Sequence, residues 1–435
     1  MIDFPASPTI GEQFTSGGFV WEWDGIKWTI VPGSGASGAF VTISDTPPAS
    51  PAVGDLWWDS VGGQTYLWMT DANSSQWVPA SNSASLPPPA STTVLGGVKV
   101  DGTSIKAAAD GTISTVLIPM NDNRLINGDM RIDQRGVASG GGTANGYTVD
   151  RWQFQASLVG NGFWQRVASA APGFPYYLNF TSSSAYASLA ADFFFFQQPI
   201  EADAISDFAW GTANAQPVTL SFWAFSSLTG TFSGCVKNYA ATRSYPFTFS
   251  IPVVNTWTKI AVTIPGDTAG TWVLSGSNGA LYVVFDLGSG STYRGPAGAW
   301  ASANYQGATG AVSVVGTNGA AWGVTGVKLE IGSVATPYNR QSLAKSLADC
   351  QRYYQSLGTM NPNSYQVGGG VYNNVYTFPV TMRAVPTMGL SSVSYGNASG
   401  GQVIAPTTSS FGLGFTNTAT ALGYMYCNVT ASAEL

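Results

Sequence analysis

No histidine occurs among the 435 residues. That count removes Ser-His-Asp and Cys-His nucleophile systems, His-ligated zinc and imidazole proton transfer. Cys235, Cys350 and Cys427 stand far apart, with no CxxC pair. A sparse, odd set reads as buried thiols of a chain made in a reducing cytosol. Any hydrolytic chemistry would therefore fall to carboxylates. Asp122, Asp129, Asp133 and Asp150 cluster in sequence, and a glycosidase needs two carboxyls about 5–5.5 or 6.5–9.5 Å apart. Asp133 and Asp150, however, neighbour Arg131, Arg135 and Arg151, a pattern suited to ion pairs at a domain entry. The expectation is no enzyme, no cofactor and no metal. Calcium takes about six to eight oxygens, and no Asp-x-Asp-x-Asp loop is present. Asp129 and Glu330 are the acids that could ligate it, and they read equally as surface charges. Gly140-Gly141-Gly142 lacks the Lys and helix of a phosphate loop and reads as a turn.

What the chain does offer is recognition chemistry. It holds 15 Trp, 19 Tyr and 22 Phe, with only 9% charged residues against roughly 25% in ordinary soluble proteins. Aromatic faces and neutral hydrogen-bonding side chains are what a sugar surface needs. Tyr372, Asn373, Asn374 and Tyr376 form one candidate receptor site. A turn at Asn373-Asn374 would expose the two rings beside neutral amides. A strand running straight through would instead put Tyr372, Asn374 and Tyr376 on one face, toward a core or a symmetry mate. Net charge is −6, with ten acids against three bases in residues 1–118 and thirteen against fourteen in 119–435. There is no basic stripe, so nucleic-acid binding is not expected. The most apolar run, 193–196, is bounded by Asp192 and Gln197, far short of the ~18 residues of a membrane span. The N-terminus has no basic start and no apolar stretch, so no secretory signal is expected.

The elements that would position these residues are β. Pro5-Ala6-Ser7-Pro8-Thr9-Ile10-Gly11-Glu12 recurs as Pro48-Ala49-Ser50-Pro51-Ala52-Val53-Gly54-Asp55. Each copy leads into strand, Asp-led turn, strand, closing on Trp28 or Trp77. These are two small β-hairpin modules, residues 1–33 and 46–80. Each is too small for an independent core, so the tryptophans should pack on a neighbour module or chain; they read as a mini-core or, alternatively, as a sugar platform. Residues 81–118 combine a Ser/Pro linker with short β pieces that want copies of themselves around an axis. Residues 119–338 carry many short strands separated by Ser/Gly/Asn turns, a jelly-roll-like β-sandwich. Residues 339–358 place Leu343, Leu347, Cys350, Tyr354 and Leu357 on one helical stripe, with Gly358 as the stop. Residues 359–435 return to a β domain. The fold class is all-β, with one short helix. Too little charge to cover a large free surface points to an oligomer.

The segment GDLWWDSVGGQTYLWMTDANSSQW resembles the Trp-rich modules of tailed-phage fibre and tail proteins, and GFVWEWDGIKW resembles a variant of them. ASTTVLGGVKVDG is similar to a short mid-fibre β segment. NRLINGDMRIDQRG, GYTVDRW, VTLSFWAF and VTGVKLEIGSVATPY resemble a carbohydrate-binding jelly roll common in phage tail proteins. SLADCQRYYQSL and FPVTMRAVPT resemble the segments that follow it. The likeness implies a structural fibre of the virion, elongated and homotrimeric, synthesised in the host cytoplasm. Its N-terminal part would anchor to other virion proteins (tail, baseplate, collar or head), and its distal domains would bind host surface glycan without catalysis. Alternatives are a head or collar decoration fibre without its own receptor, or a carboxylate-based depolymerase.

Overall fold

The computed structural model describes residues 3–31, 41–80, 105–107, 113–115, 123–136, 141–168 and 171–435. The Ser/Pro stretch 81–92, Asp122 and Gly140 lie outside them. Two compact units result, Met1–Ser114 and Thr115–Leu435.

In the first unit the sequence repeat is also a structural repeat. Strands β1 (Gln13–Ser16), β2 (Phe19–Trp23) and β3 (Trp28–Ile30) form one antiparallel sheet. Strands β4 (Val41–Ser44), β5 (Leu56–Asp59), β6 (Gln64–Thr70) and β7 (Ser75–Pro79) form another, with β4 added in parallel to β5. The amide of Gly11 donates to Trp23 O at 2.8 Å, and that of Gly54 donates to Trp68 O at 3.0 Å. Both glycines sit at positive φ, 87° and 98°, where only a residue without Cβ is unstrained. Asp24 and Asp71 each accept two backbone amides two and three residues on, all at 2.8 Å. These side-chain turns are why Asp opens each hairpin loop. The rings find partners inside the module. Phe4 stacks on Trp28 at 5.3 Å, and Trp57 packs on Tyr66 and Trp77 at 5.0 and 5.7 Å. These contacts fit the mini-core alternative. Strands β8 (Ile105–Ala107) and β9 (Ile113–Thr115) pair with each other.

The second unit is a two-sheet sandwich followed by a smaller β domain. Its strands are β10 (Gly146–Tyr147), β11 (Gln153–Ala156), β12 (Gly162–Ala168), β13 (Tyr176–Ser182), β14 (Phe194–Glu201), β15 (Val218–Ser226), β16 (Gly230–Asn238), β17 (Ser244–Ile251), β18 (Thr258–Ile264), β19 (Gly279–Asp286) and β22 (Ala321–Ile331), with β20 (Arg294–Gly295) and β21 (Gly307–Ala308) as a short parallel pair. One sheet runs β10-β11-β14-β19-β16-β17 and the other β12-β13-β22-β15-β18. Alternation sorts each strand into a core face and an outer face. Phe154, Phe196, Phe285 and Phe247 face inward from the first sheet. They meet Phe180, Phe222, Leu220 and Trp322 of the second in one buried cluster. Fully buried rings such as Phe222 and Phe285, 4.9 Å apart edge to face, dominate the sandwich energetics.

The helix differs from expectation. It spans Leu343–Gln351, capped by Ser342, instead of 339–358. Residues 354–360 form β23 (Tyr354–Met360), paired antiparallel with β29 (Ala421–Ser432). The stripe therefore ends at buried Cys350. Leu343 is exposed, and Gly358 sits at φ 70° beside a bulge within β23 instead of capping a helix. Sheet pairing with the long β29 overrides a helical periodicity of only a few turns. The remaining strands are β24 (Asn363–Gln366), β25 (Val371–Thr377), β26 (Thr387–Gly396), β27 (Ala398–Ile404) and β28 (Ser410–Asn417). They pack around Phe411, Leu413, Phe415, Met425 and Val429.

Candidate functional site

The outer face of the six-stranded sheet carries the chemistry. Cross-strand register places Gln197 beside Val284 and Cys235, and Pro199 beside Tyr282 and Lys237. Phe195 lies one step along, next to Gln155 and Asp286. The four-phenylalanine run explains itself here. Phe194 and Phe196 are core residues, while Phe193 and Phe195 emerge on the opposite face.

A loop walls this face. Asp286 anchors it: its Oδ1 accepts the amides of Gly288 and Ser289 at 3.0 and 2.7 Å. Its Oδ2 accepts Ser233 Oγ at 3.2 Å and Arg294 Nε at 2.8 Å. On the other side Ser244 exchanges backbone hydrogen bonds with Ala301 at 2.9–3.0 Å, and its Oγ donates to Ala303 O at 2.7 Å. Residues 293–306 are thus pinned at both flanks. They hold Tyr293, Asn304 and Gln306 over the sheet.

The result is a cleft of about 300 Å³ lined by Phe193, Phe195, Tyr239, Tyr282 and Tyr293, with Gln155, Gln197, Lys237, Asn304 and Gln306 between the rings. Tyr239 and Tyr282 stack at 4.9 Å with 13° between their planes, and Phe193 meets Tyr293 edge-on at 5.8 Å. Tyr239 can lie there because Gly279 has no side chain. A Cβ at that position would stand 2.2 Å from the ring's Cδ2. Lys237 Nζ donates to Asn304 Oδ1 at 3.1 Å and Gln306 Oε1 at 2.9 Å. Burial pulls its ammonium down to about 8. Burial likewise pushes the fully buried Cys235 thiol up to about 12 and raises the Tyr282 phenol, so both stay neutral at pH 7. Gln197 Nε2 donates to Gln153 Oε1 at 2.6 Å, which keeps that amide pair in register with the cleft.

Chemically the cleft offers flat apolar rings for C–H faces and amides that both donate and accept. No Asp or Glu lines it. A wider concavity of about 630 Å³ lies near Tyr186, Ser188, Ser291 and Arg294, but its lining is mostly small residues and offers a single ring.

The four sequence-predicted site residues lie elsewhere. β25 runs unbroken from Val371 to Thr377 against β28, so the turn at Asn373-Asn374 that the receptor reading needs is not there. Tyr372 stacks on Phe415 at 4.9 Å and Tyr376 on Phe411 at 5.8 Å, both half-buried against the C-terminal core. Asn373 and Asn374 are both exposed. The strand alternative holds: Tyr372, Asn374 and Tyr376 lie opposite Phe415, Leu413 and Phe411 and share one face, as counting predicts.

The acidic cluster is engaged in ion pairs. Asp129 pairs with Arg131 and Arg340, Asp133 with Arg166 at 3.5 Å, and Asp150 with Arg135 at 3.9 Å. Arg135 and Arg151 both reach Glu434, tying the chain's last strand region to the sandwich entry. Glu330 accepts Lys328 at 3.0 Å and the Thr336 amide at 2.8 Å. Asp129 and Glu330, the possible calcium ligands, thus both have cationic partners. Among the described residues no group of three or more acids, Cys or His could hold a metal.

The sequence carries one local signal for this outer face. Four consecutive phenylalanines cannot all face one core in an alternating strand. Gln197, two residues after Phe195, continues the outer face, while Gln198 turns the other way and bonds the backbone of Ile126.

No family model matches the chain, and no curated protein does. Solved structures with partial likeness include a candidate sugar-binding protein from Bacteroides thetaiotaomicron, 11% identical over 48% of this chain and 100% of that one, with a TM-score of 0.29. The enzymatically active domain of tailspike protein 4 from bacteriophage CBA120 is 12% identical over 50% of this chain and 22% of that one, at 0.26. A module described in complex with β-1,4-galactotriose is 12% identical over 48% and 99%, at 0.25. At these identities and scores the likeness adds nothing to the sandwich assigned above from its own sheets.

Proposed function

We propose that the second unit is a glycan-binding module and that its outer-face cleft is the binding site. The observation that carries the proposal is the cleft's composition. Five aromatic rings and four amide side chains line it, drawn from the sheet's outer face and from a wall loop pinned through Asp286 and Ser244. Binding pockets of this kind combine apolar walls with a few placed polar groups. The lining contains no carboxylate, which favours binding over glycoside hydrolysis. The whole chain is proposed to be a homotrimeric virion fibre. That reading rests on the sequence resemblance of the Trp-rich modules and on their repeated fold, with residues 1–80 as the anchor.

A glycan microarray probed with the full chain tests the binding proposal. Tyr239→Ala should lose the array signal, while Tyr372→Ala at the same concentration should retain it. Equal signals from both variants would reject the cleft. Light scattering that found a stable folded monomer at micromolar concentration would reject the trimeric fibre.

A further inference from the structure

Building on the glycan reading, we infer that the cleft is made for an acidic sugar, with Lys237 as the group that meets the sugar's carboxylate. Lys237 is the one charged side chain among the residues lining the cleft. It is only 5% exposed. A buried ammonium is costly unless it is paired, and this chain otherwise follows that rule. Lys328, 1% exposed, has Glu330 at 3.0 Å. Arg243 has Asp267 at 2.6 Å, and Arg294 has Asp286 at 2.7 Å. Lys237 has no carboxylate within 4.0 Å among the described residues.

Its surroundings are neutral on every side. From β16 comes Cys235, from the turn just after that strand Tyr239, from β19 Tyr282, from β14 Phe195 and Gln197, and from the wall Tyr293, Asn304 and Gln306. Two of its three N–H groups serve the amide oxygens of Asn304 and Gln306. The rings of Phe195 and Tyr282 lie 5.7 and 5.4 Å from Nζ, giving weak cation–π support. The acids along the sheet are already engaged: Asp286 by Arg294, Ser233 and two backbone amides, and Glu201 by Arg352. One N–H and one full positive charge are therefore left for whatever enters the cleft. A neutral sugar would leave that charge unmatched. A carboxylate-bearing sugar supplies the missing anion while its ring stacks on the aromatic wall. The required chemistry, a carboxylate on a pyranose, is common to hexuronates and to nonulosonates such as sialic acid.

The test uses the full chain and four probes, namely hyaluronan, alginate, polygalacturonate and polysialic acid, each beside its carboxyl-reduced neutral form. A charge-assisted hydrogen bond contributes enough for an acidic form to bind about tenfold or more tighter than its reduced form. Lys237→Met keeps the stem, and in that variant the ratio should fall to about one. As a check that needs no variant, the wild-type preference should fade as pH rises through the ammonium's lowered value near 8. Tight binding of reduced forms with no acid preference, or a preference unchanged in Lys237→Met, overturns the inference and leaves the glycan reading intact. Binding of none of the eight polymers would count against both.

Discussion

Replacing Arg294 by Leu should unlock the wall of the cleft. The Asp286 side chain is fully buried, and that of Arg294 is 13% exposed. Without the guanidinium, the Asp286 carboxylate keeps three donors: Ser233 Oγ and the amides of Gly288 and Ser289. Stripping one partner from a buried pair costs about 3–5 kcal/mol, and the three remaining donors place this case near the lower end. The carbonyl of Ala311 also loses its bond to Arg294. At about 2–4 °C per kcal/mol for a domain of this size, melting should fall by roughly 6–12 °C. Differential scanning calorimetry reads this directly. The double variant Arg294→Leu with Asp286→Asn removes the stranded charge and should recover most of the loss. Because Asn304 and Gln306 ride on the same loop, glycan affinity should drop in the single variant even at temperatures where it is folded. If Arg294→Leu melts within about 2 °C of wild type, the buried pair does not anchor the loop and the reasoning fails.

Gly279→Ala should displace Tyr239, since its Cβ would stand 2.2 Å from the ring. Loss of the stacked pair is worth about 0.5–1.5 kcal/mol, a two- to tenfold fall in affinity by calorimetry. Unchanged affinity would remove Tyr239 from the site. Tyr372→Ala should lower stability by about 2 kcal/mol, less than for a fully buried ring, and leave glycan binding untouched. Lost binding with normal melting would restore the receptor reading of β25. Asp24 is held below the ordinary carboxylate range, chiefly by the amides of Lys27 and Ile26. Because the folded value is depressed, its contribution to the hairpin is full above the unfolded value and is lost as pH falls through the folded one. The amide shifts of Ile26 and Lys27 should therefore titrate with a midpoint below 3.8, the ordinary value. A midpoint at or above it would mean that the turn bonds are not formed.

Much of the architecture is legible in the sequence because it rests on local signals. The repeat around Gly11 and Gly54 shows as equivalent turns with the same hydrogen-bond pattern, and the Asp-led hairpins at Asp24 and Asp71 form as their side-chain chemistry dictates. The Asp/Arg cluster at 129–151 was readable as ion pairs, although its partners Glu434 and Arg166 lie far along the chain or across a sheet. The helix end was not legible, since Tyr354 and Leu357 fit a helical stripe and a strand equally well. Only pairing with β29, some 70 residues on, decides between them. The cleft was missed for the same reason. Phe195, Lys237 and Tyr282 are brought side by side solely by the order β14-β19-β16, which no local pattern encodes. At Tyr372, by contrast, period-2 counting alone favoured the face toward the core.

Hydrogen–deuterium exchange of the full chain, with and without the best-bound oligosaccharide of the array, tests the central claim most directly. The account predicts slowed exchange in Phe194–Glu201, Gly279–Asp286 and residues 293–306, and none in Val371–Thr377. Protection confined to Val371–Thr377, with the six-stranded sheet and its loop unchanged, would contradict it.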